Sequence, residues 1–98
     1  MIPMDADSLR AYATRQADYY GLDMPALIAT IECESGFNAT SRGDHGLARG
    51  IAQIRSDYWP DITEAQADDP YWALDWMIEK WREGREELWS CYRNLKKT

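Results

Sequence analysis

Apolar residues recur at helical spacing along most of this chain, and Gly, Pro and Asp divide the recurrence into segments. Leu9, Tyr12, Ala13 and Ala17 share one face of a helix expected over Asp7 to Tyr20. Asp5 or Asp7 can cap its start, and Gly21 ends it. A second helix starts after Asp23, takes Pro25 in its first turn, carries Leu27, Ile28 and Ile31, and runs to Glu34. Residues 36–49 hold Gly36, Asn38, Thr40, Ser41, Gly43, Asp44 and Gly46, a composition for a loop or short hairpin. Gly50 to Ser56 reads as a short helix that Trp59-Pro60 interrupts. From Pro70 to about Glu83 the pattern is clearest. Ala73, Trp76, Met77 and Trp81 fall on one side, and Gly84 is the stop. A last helix over Glu86 to Leu95 is expected to bury Leu88, Cys91 or Tyr92, and Leu95, with Lys96 and Lys97 suiting its C-terminus. No alternating strand stands out. The expectation is a mainly α fold with a short loop or hairpin region between helices.

At 98 residues the chain fits one domain, residues 1–98. It is 45% hydrophobic with five Trp and six Tyr, which gives it a core and excludes a disordered tail. It has no apolar run long enough to cross a membrane, so no membrane span is expected. The net charge of -6 disfavours nucleic acid, which needs a basic footprint. His45 stands alone and no Cys spacing suits a metal, so neither a metal site nor a cofactor is implied.

The candidate chemistry lies at Cys33-Glu34-Ser35-Gly36. It puts a carboxylate at the end of a buried helix, beside an expected cleft. A carboxylate half-removed from water is favoured in its protonated form and can serve as a general acid. Glu32 lies roughly 200° away around the same helix and cannot share that face. For an ordinary Glu the better reading would be a solvated acid at a helix end.

Glu34-Ser35 followed by Gly50-Ile51-Ala52-Gln53-Ile54 resembles the paired motifs of lytic transglycosylases of the SLT type. Cys33-Glu34-Ser35-Gly36 with Trp89-Ser90-Cys91 resembles the resuscitation-promoting factors, which are small lysozyme-like domains. Asp44-His45-Gly46 ahead of Gly50-Ile51-Ala52-Gln53 is similar to goose-type lysozymes. The likeness spans about Pro25 to Tyr92. It implies a small lysozyme-like fold that cleaves peptidoglycan glycan strands at the β-1,4 bond between N-acetylmuramic acid and N-acetylglucosamine. Glu34 would be the catalytic acid. Asp44 is the second catalytic candidate, as the residue that positions water in a hydrolytic muramidase; its plain alternative is a turn residue. Ser35, Gln53, Ile54, Tyr58 and Tyr92 are the expected substrate-binding residues. Trp59 could also stack on a sugar ring, though such aromatics are more often core.

Two departures from these families matter. Arg55 stands where a second Asp follows the Gly-led run in the goose type, which favours the anhydro product over hydrolysis. The usual Ala-Tyr-Asn late in the SLT type reads Cys91-Tyr92-Arg93 here. A non-catalytic glycan-binding domain is the alternative from another class.

Spacing alone leaves two readings of Cys33 and Cys91: a bridge, or two free buried thiols. The likeness to the two-cysteine relatives favours the bridge, which would stabilise by roughly 4 kcal/mol through the loop it closes. An extracytoplasmic location (cell wall, secreted or phage-associated) and a monomer are expected. Met1-Ile2-Pro3-Met4-Asp5 shows no signal peptide, so the route would be a trimmed leader, a phage particle or host-cell lysis.

Overall fold

Local capping explains where the helices of the computed structural model, which describes residues 2–97, begin and end. Helix α1 (Ala6–Tyr19) starts where Asp5 accepts a hydrogen bond from the Ser8 N–H, and it buries Leu9, Ala13 and Ala17 completely. Helix α2 (Met24–Ser35) is capped by Asp23, which accepts from the Ala26 N–H; Pro25 lies in its first turn. It stops at Gly36, whose φ of 63° closes the last carbonyls in a left-handed turn. Buried Ala26, Leu27, Thr30 and Ile31 make α2 the centre of the core, with α1 packed against one side of it.

Between Gly36 and Pro60 the chain forms a small antiparallel ribbon: β1 (Arg42–Gly43), β2 (Ala48–Arg49) and β3 (Ile54–Arg55), in that order. Arg42 pairs with Arg49, and Arg49 with Ile54. A 3₁₀ turn at Asp44–Gly46 joins β1 to β2. The expected helix over Gly50 to Ser56 is therefore not formed, and short strands occur where no strand stood out. Two left-handed residues, Gly50 (φ 80°) and Gln53 (φ 51°), make a turn in its place. That turn inserts Ile51, Ala52 and Ile54 into the core together, which no single helix face would do.

Helix α3 (Glu64–Asp68), for which the apolar pattern gives no signal, follows a reciprocal capping box between Thr63 and Gln66. Arg49 in β2 donates to both Asp68 carboxylate oxygens, and this bond holds the Asp68 carboxyl below the usual carboxylate range. The ribbon is thereby tied to α3. Gly50 is pressed against the same helix. A Cβ there would lie 2.1 Å from the backbone oxygen of Ala67. Gly50→Ala is expected to destabilise the protein by at least about 1–2 kcal/mol from the left-handed backbone alone. An unfolding midpoint equal to wild type in denaturant titration would contradict this packing.

Helix α4 (Pro70–Arg82) is capped by Asp69 and buries Ala73, Leu74, Met77, Ile78 and Trp81. Tyr12 of α1 donates to Asp75 of α4; burial, and then this bond, push its phenol up to about 12. The expected last helix is divided. Glu86–Leu88 is a 3₁₀ turn, Trp89 is extended (φ -101°, ψ 124°), and α5 runs over Ser90–Leu95. Leu88 and Leu95 are exposed rather than buried, and Cys91 and Tyr92 are half-buried. Trp89 takes the core position instead, because its indole N–H reaches the Ala52 carbonyl at 2.7 Å. The chain breaks its helix to make that bond.

The result is a mainly α fold with one short ribbon. No described helix is long and apolar enough to cross a membrane.

Candidate active site

Glu34 sits in the last turn of α2, where the buried face of the helix gives way to a cleft of about 420 Å³. The ribbon supplies one wall through Asp44, Gln53, Ile54 and Arg55, continued by Tyr58 and Trp59. Trp76 of α4 lies in the cleft with Glu87, Leu88, Trp89, Ser90 and Arg93 from the C-terminal segment. Residues far apart in sequence therefore meet around one carboxylate.

The carboxylate is held from the C-terminal side. Glu34 Oε2 accepts a 3.0 Å hydrogen bond from the Cys91 N–H, one of the unpaired donors in the first turn of α5. Trp89, at the N-cap, offers no side-chain acceptor, so Glu34 caps this helix from α2. The other carboxylate oxygen has no hydrogen-bond partner among the described residues. A Cys33–Cys91 disulfide, with Cα atoms 6.0 Å apart, joins the same two helices. One covalent link and one hydrogen bond, at neighbouring positions, thus fix the end of α2 against the start of α5.

Ser35 does not line the cleft. Its hydroxyl donates to the Ile51 carbonyl at 2.6 Å and ties the α2 terminus to the Gly50 turn. Gln53 lines the cleft, but its amide nitrogen is engaged by the carbonyls of Gly50 (2.8 Å) and Ser41. Its Oε1 would lie 2.4 Å from any Cβ at position 43, so Gly43 makes room for it. Tyr92 is absent from the lining and packs edge-on against Trp81, with centroids 5.1 Å apart. Tyr58 lines the cleft and is well exposed, with the Arg55 guanidinium 4.4 Å over its ring.

Asp44 shares the cleft with Glu34, yet its carboxylate faces Arg55 at 3.5 Å. Arg55 binds Asp57 more closely, at 2.7 and 3.0 Å, and these bonds hold the Asp57 carboxyl below the carboxylate range. Asp44, at φ 50°, and His45, at φ 60°, occupy the left-handed region. Asp44 is thus an exposed, ion-paired turn residue at the cleft's edge.

Of the aromatic series inside the cleft, the sequence points to Trp59 as a stacking residue and to Trp89 only within a motif, and it assigns Trp76 to the core face of its helix. Trp59, Trp76 and Trp89 stack edge to face, at centroid distances of 5.1 and 5.8 Å. Lys80 lies over the first two rings. Glu87 and Arg93 were unforeseen. A signal existed for them: once Cys91 is bridged to Cys33, its sequence neighbours must lie near Glu34. Chemically, the cleft offers one fixed carboxylate with a free oxygen, apolar ring faces, and hydrogen-bonding groups at the rim. Its lining mixes charged and polar groups with aromatic rings. Among the described residues no cluster of three or more His, Cys, Asp or Glu could hold a metal ion. None of the family models, curated proteins or solved structures compared with the chain matches it.

Proposed function

We propose that this protein cleaves peptidoglycan glycan strands at the β-1,4 bond between N-acetylmuramic acid and N-acetylglucosamine, with Glu34 as general acid. The observation that carries this reading is the convergence on one cleft of Glu34 with Gln53 and Ile54, residues of two motifs that resemble the SLT type. Ring faces beside that carboxylate support a carbohydrate substrate, because sugars present apolar C–H faces to aromatic side chains. The disulfide supports action outside the cytoplasm.

In the proposed reaction, protonated Glu34 gives its proton to the glycosidic oxygen as the C–O bond breaks. Positive charge develops on the ring carbon and oxygen of the muramic residue. The 6-hydroxyl of that same sugar then attacks the anomeric carbon, and its proton returns to the Glu34 carboxylate. One carboxyl group serves both steps, and the product carries a 1,6-anhydro end.

A hydrolytic muramidase is the second reading, favoured by the presence of Asp44 in the same cleft. Asp44 is a weak candidate for activating water, because Arg55 already neutralises it at an exposed position. The substrate's internal hydroxyl has the advantage of proximity. Asp44→Asn is therefore expected to leave the rate nearly unchanged, with anhydro ends dominating when digested walls are examined by mass spectrometry. A sharp loss of rate in that variant, with only reducing ends in wild-type digests, would establish the hydrolase instead.

A further inference from the structure

Charge is divided along this chain. Residues 1–87 hold all 17 acidic side chains against eight cations, a net charge of -9. Residues 88–98 hold Arg93, Lys96 and Lys97 and no acid, a charge of +3. Folding does not mix the two. Among the described residues seven of the 11 cations are ion-paired, and of the other four only Arg15 lies outside this last segment. Hydrogen bonds from the Lys96 N–H to the Tyr92 carbonyl and from the Lys97 N–H to the Asn94 carbonyl carry the helical path of α5 onward. Arg93, Lys96 and Lys97, at i, i+3 and i+4, therefore share one side, and all three are exposed. Neutral partners brace two of them. Arg93 Nη1 donates to the Glu87 carbonyl at 2.6 Å, and Lys96 Nζ lies 5.4 Å over the Tyr92 ring. The Cys33–Cys91 bridge fixes the helix that carries them. A helix C-terminus favours cations, which accounts for their sign. It does not account for three like charges left without a carboxylate in a chain where acids outnumber cations.

This stripe begins at the cleft. Arg93 is part of the cleft lining, and Lys96 and Lys97 continue outside it. A polymer lying along the stripe would run beside whatever occupies the cleft. Three cations cannot outweigh the acidic body at a distance, so the molecule does not attract polyanions from solution. The stripe suits a polyanion brought to it by a ligand already in the cleft, where the second contact becomes intramolecular. Resting on the reading of the cleft given above, we infer that the Arg93–Lys96–Lys97 stripe is a docking surface for an anionic wall polymer with a phosphodiester in each repeat. Such a polymer is attached to the glycan and arrives with it; it is no part of the bond that is cleaved. Each phosphodiester carries a full charge at neutral pH and accepts hydrogen bonds from Lys and Arg. Contact there would turn the acidic body away from the wall and α5 toward it.

The test measures binding by the full chain carrying Glu34→Gln, so that the walls stay uncut. Walls rich in a glycerol phosphate polymer are compared, by co-sedimentation at low salt, with the same walls after hydrofluoric acid has stripped the polymer. The intact walls are expected to hold the protein about tenfold more tightly, as two or three exposed ion contacts would give. That advantage should fall with salt, with a log–log slope of about -2 for three displaced counterions. Adding Lys96→Gln and Lys97→Gln, both outside the cleft lining, should remove most of the advantage and leave binding to stripped walls unchanged. Lys96→Arg with Lys97→Arg should keep it. Equal binding to the two walls would overturn the inference and leave the glycan reading of the cleft standing. An advantage that survives the two Gln substitutions would also overturn it. Binding to intact walls alone, lost with the two lysines, would overturn the glycan reading and leave the stripe's partner in place; binding to neither wall would overturn both. Tighter binding to phosphatidylglycerol vesicles or to single-stranded DNA than to intact walls would assign the stripe to a membrane surface or to nucleic acid and overturn the wall polymer as its partner.

Discussion

Replacing Glu34 by Gln is expected to abolish glycan cleavage and leave the fold unchanged. Gln keeps nearly the same shape and still offers an oxygen to the Cys91 N–H, so the cap on α5 survives. What it loses is the transferable proton. Positioned general acids contribute typically ~10²–10⁴-fold to rate, and no second cleft carboxylate is held as Glu34 is. Glu34→Ala makes the informative comparison. It should be equally inactive and also less stable, by about 1 kcal/mol, because the first turn of α5 then lacks its acceptor. Clearance of a cell-wall suspension measures the first effect and thermal unfolding the second. Lysis by the Gln variant at the wild-type rate would refute the proposed mechanism. A Gln variant as unstable as the Ala variant would show that the charge, not the acceptor, is what α5 requires.

The parts of this fold that were legible in the sequence are those whose signals are local. Asp23, Pro25 and Gly36 bracket α2, and Asp69, Pro70 and Gly84 bracket α4, by chemistry that acts within a turn of the residue itself. The ribbon was not legible, for a physical reason. Two-residue strands are too short to display alternation. Asp44, His45 and Gln53 take left-handed conformations, and at Gln53 the residue type gives no local sign of it. Position 50 shows the same limit. Its Gly was visible, but the Ala67 carbonyl that requires it belongs to α3, seventeen residues on. In the site, Glu34 was found from its own helix and motif. Trp76, Glu87 and Arg93 reach the cleft only through tertiary packing of α4 and the C-terminal segment. Trp89 misled the reading further, because an uninterrupted helical pattern concealed the residue that breaks the helix to reach Ala52.

Removing the Cys33–Cys91 bridge is expected to destabilise the protein strongly, and to inactivate it before it unfolds. The bridge spans a sequence separation of 58 residues. Closing a loop of that size stabilises by about 4 kcal/mol in the chain-entropy model. For a domain of this length such a loss lowers the melting temperature by on the order of 15–30 °C. The local consequence is sharper. Helix α5 has six residues, well short of what holds an isolated helix together in water. The bridge and the Glu34 cap tie it to α2, while Trp89 anchors it to Ala52 and Tyr92 to Trp81. Without the bridge, α5 should detach at temperatures where α1, α2 and α4 remain folded. The Cys91 N–H then leaves Glu34, and Arg93 leaves the cleft. Cleavage by a Cys33→Ser, Cys91→Ser double variant should therefore fall steeply at a temperature where most of its helical circular dichroism persists. Hydrogen exchange should show early loss of protection confined to residues 86–97. A double variant with wild-type activity and melting temperature would refute both effects. Activity and helicity lost together along one transition would leave the stabilisation intact and remove the claim that α5 opens first.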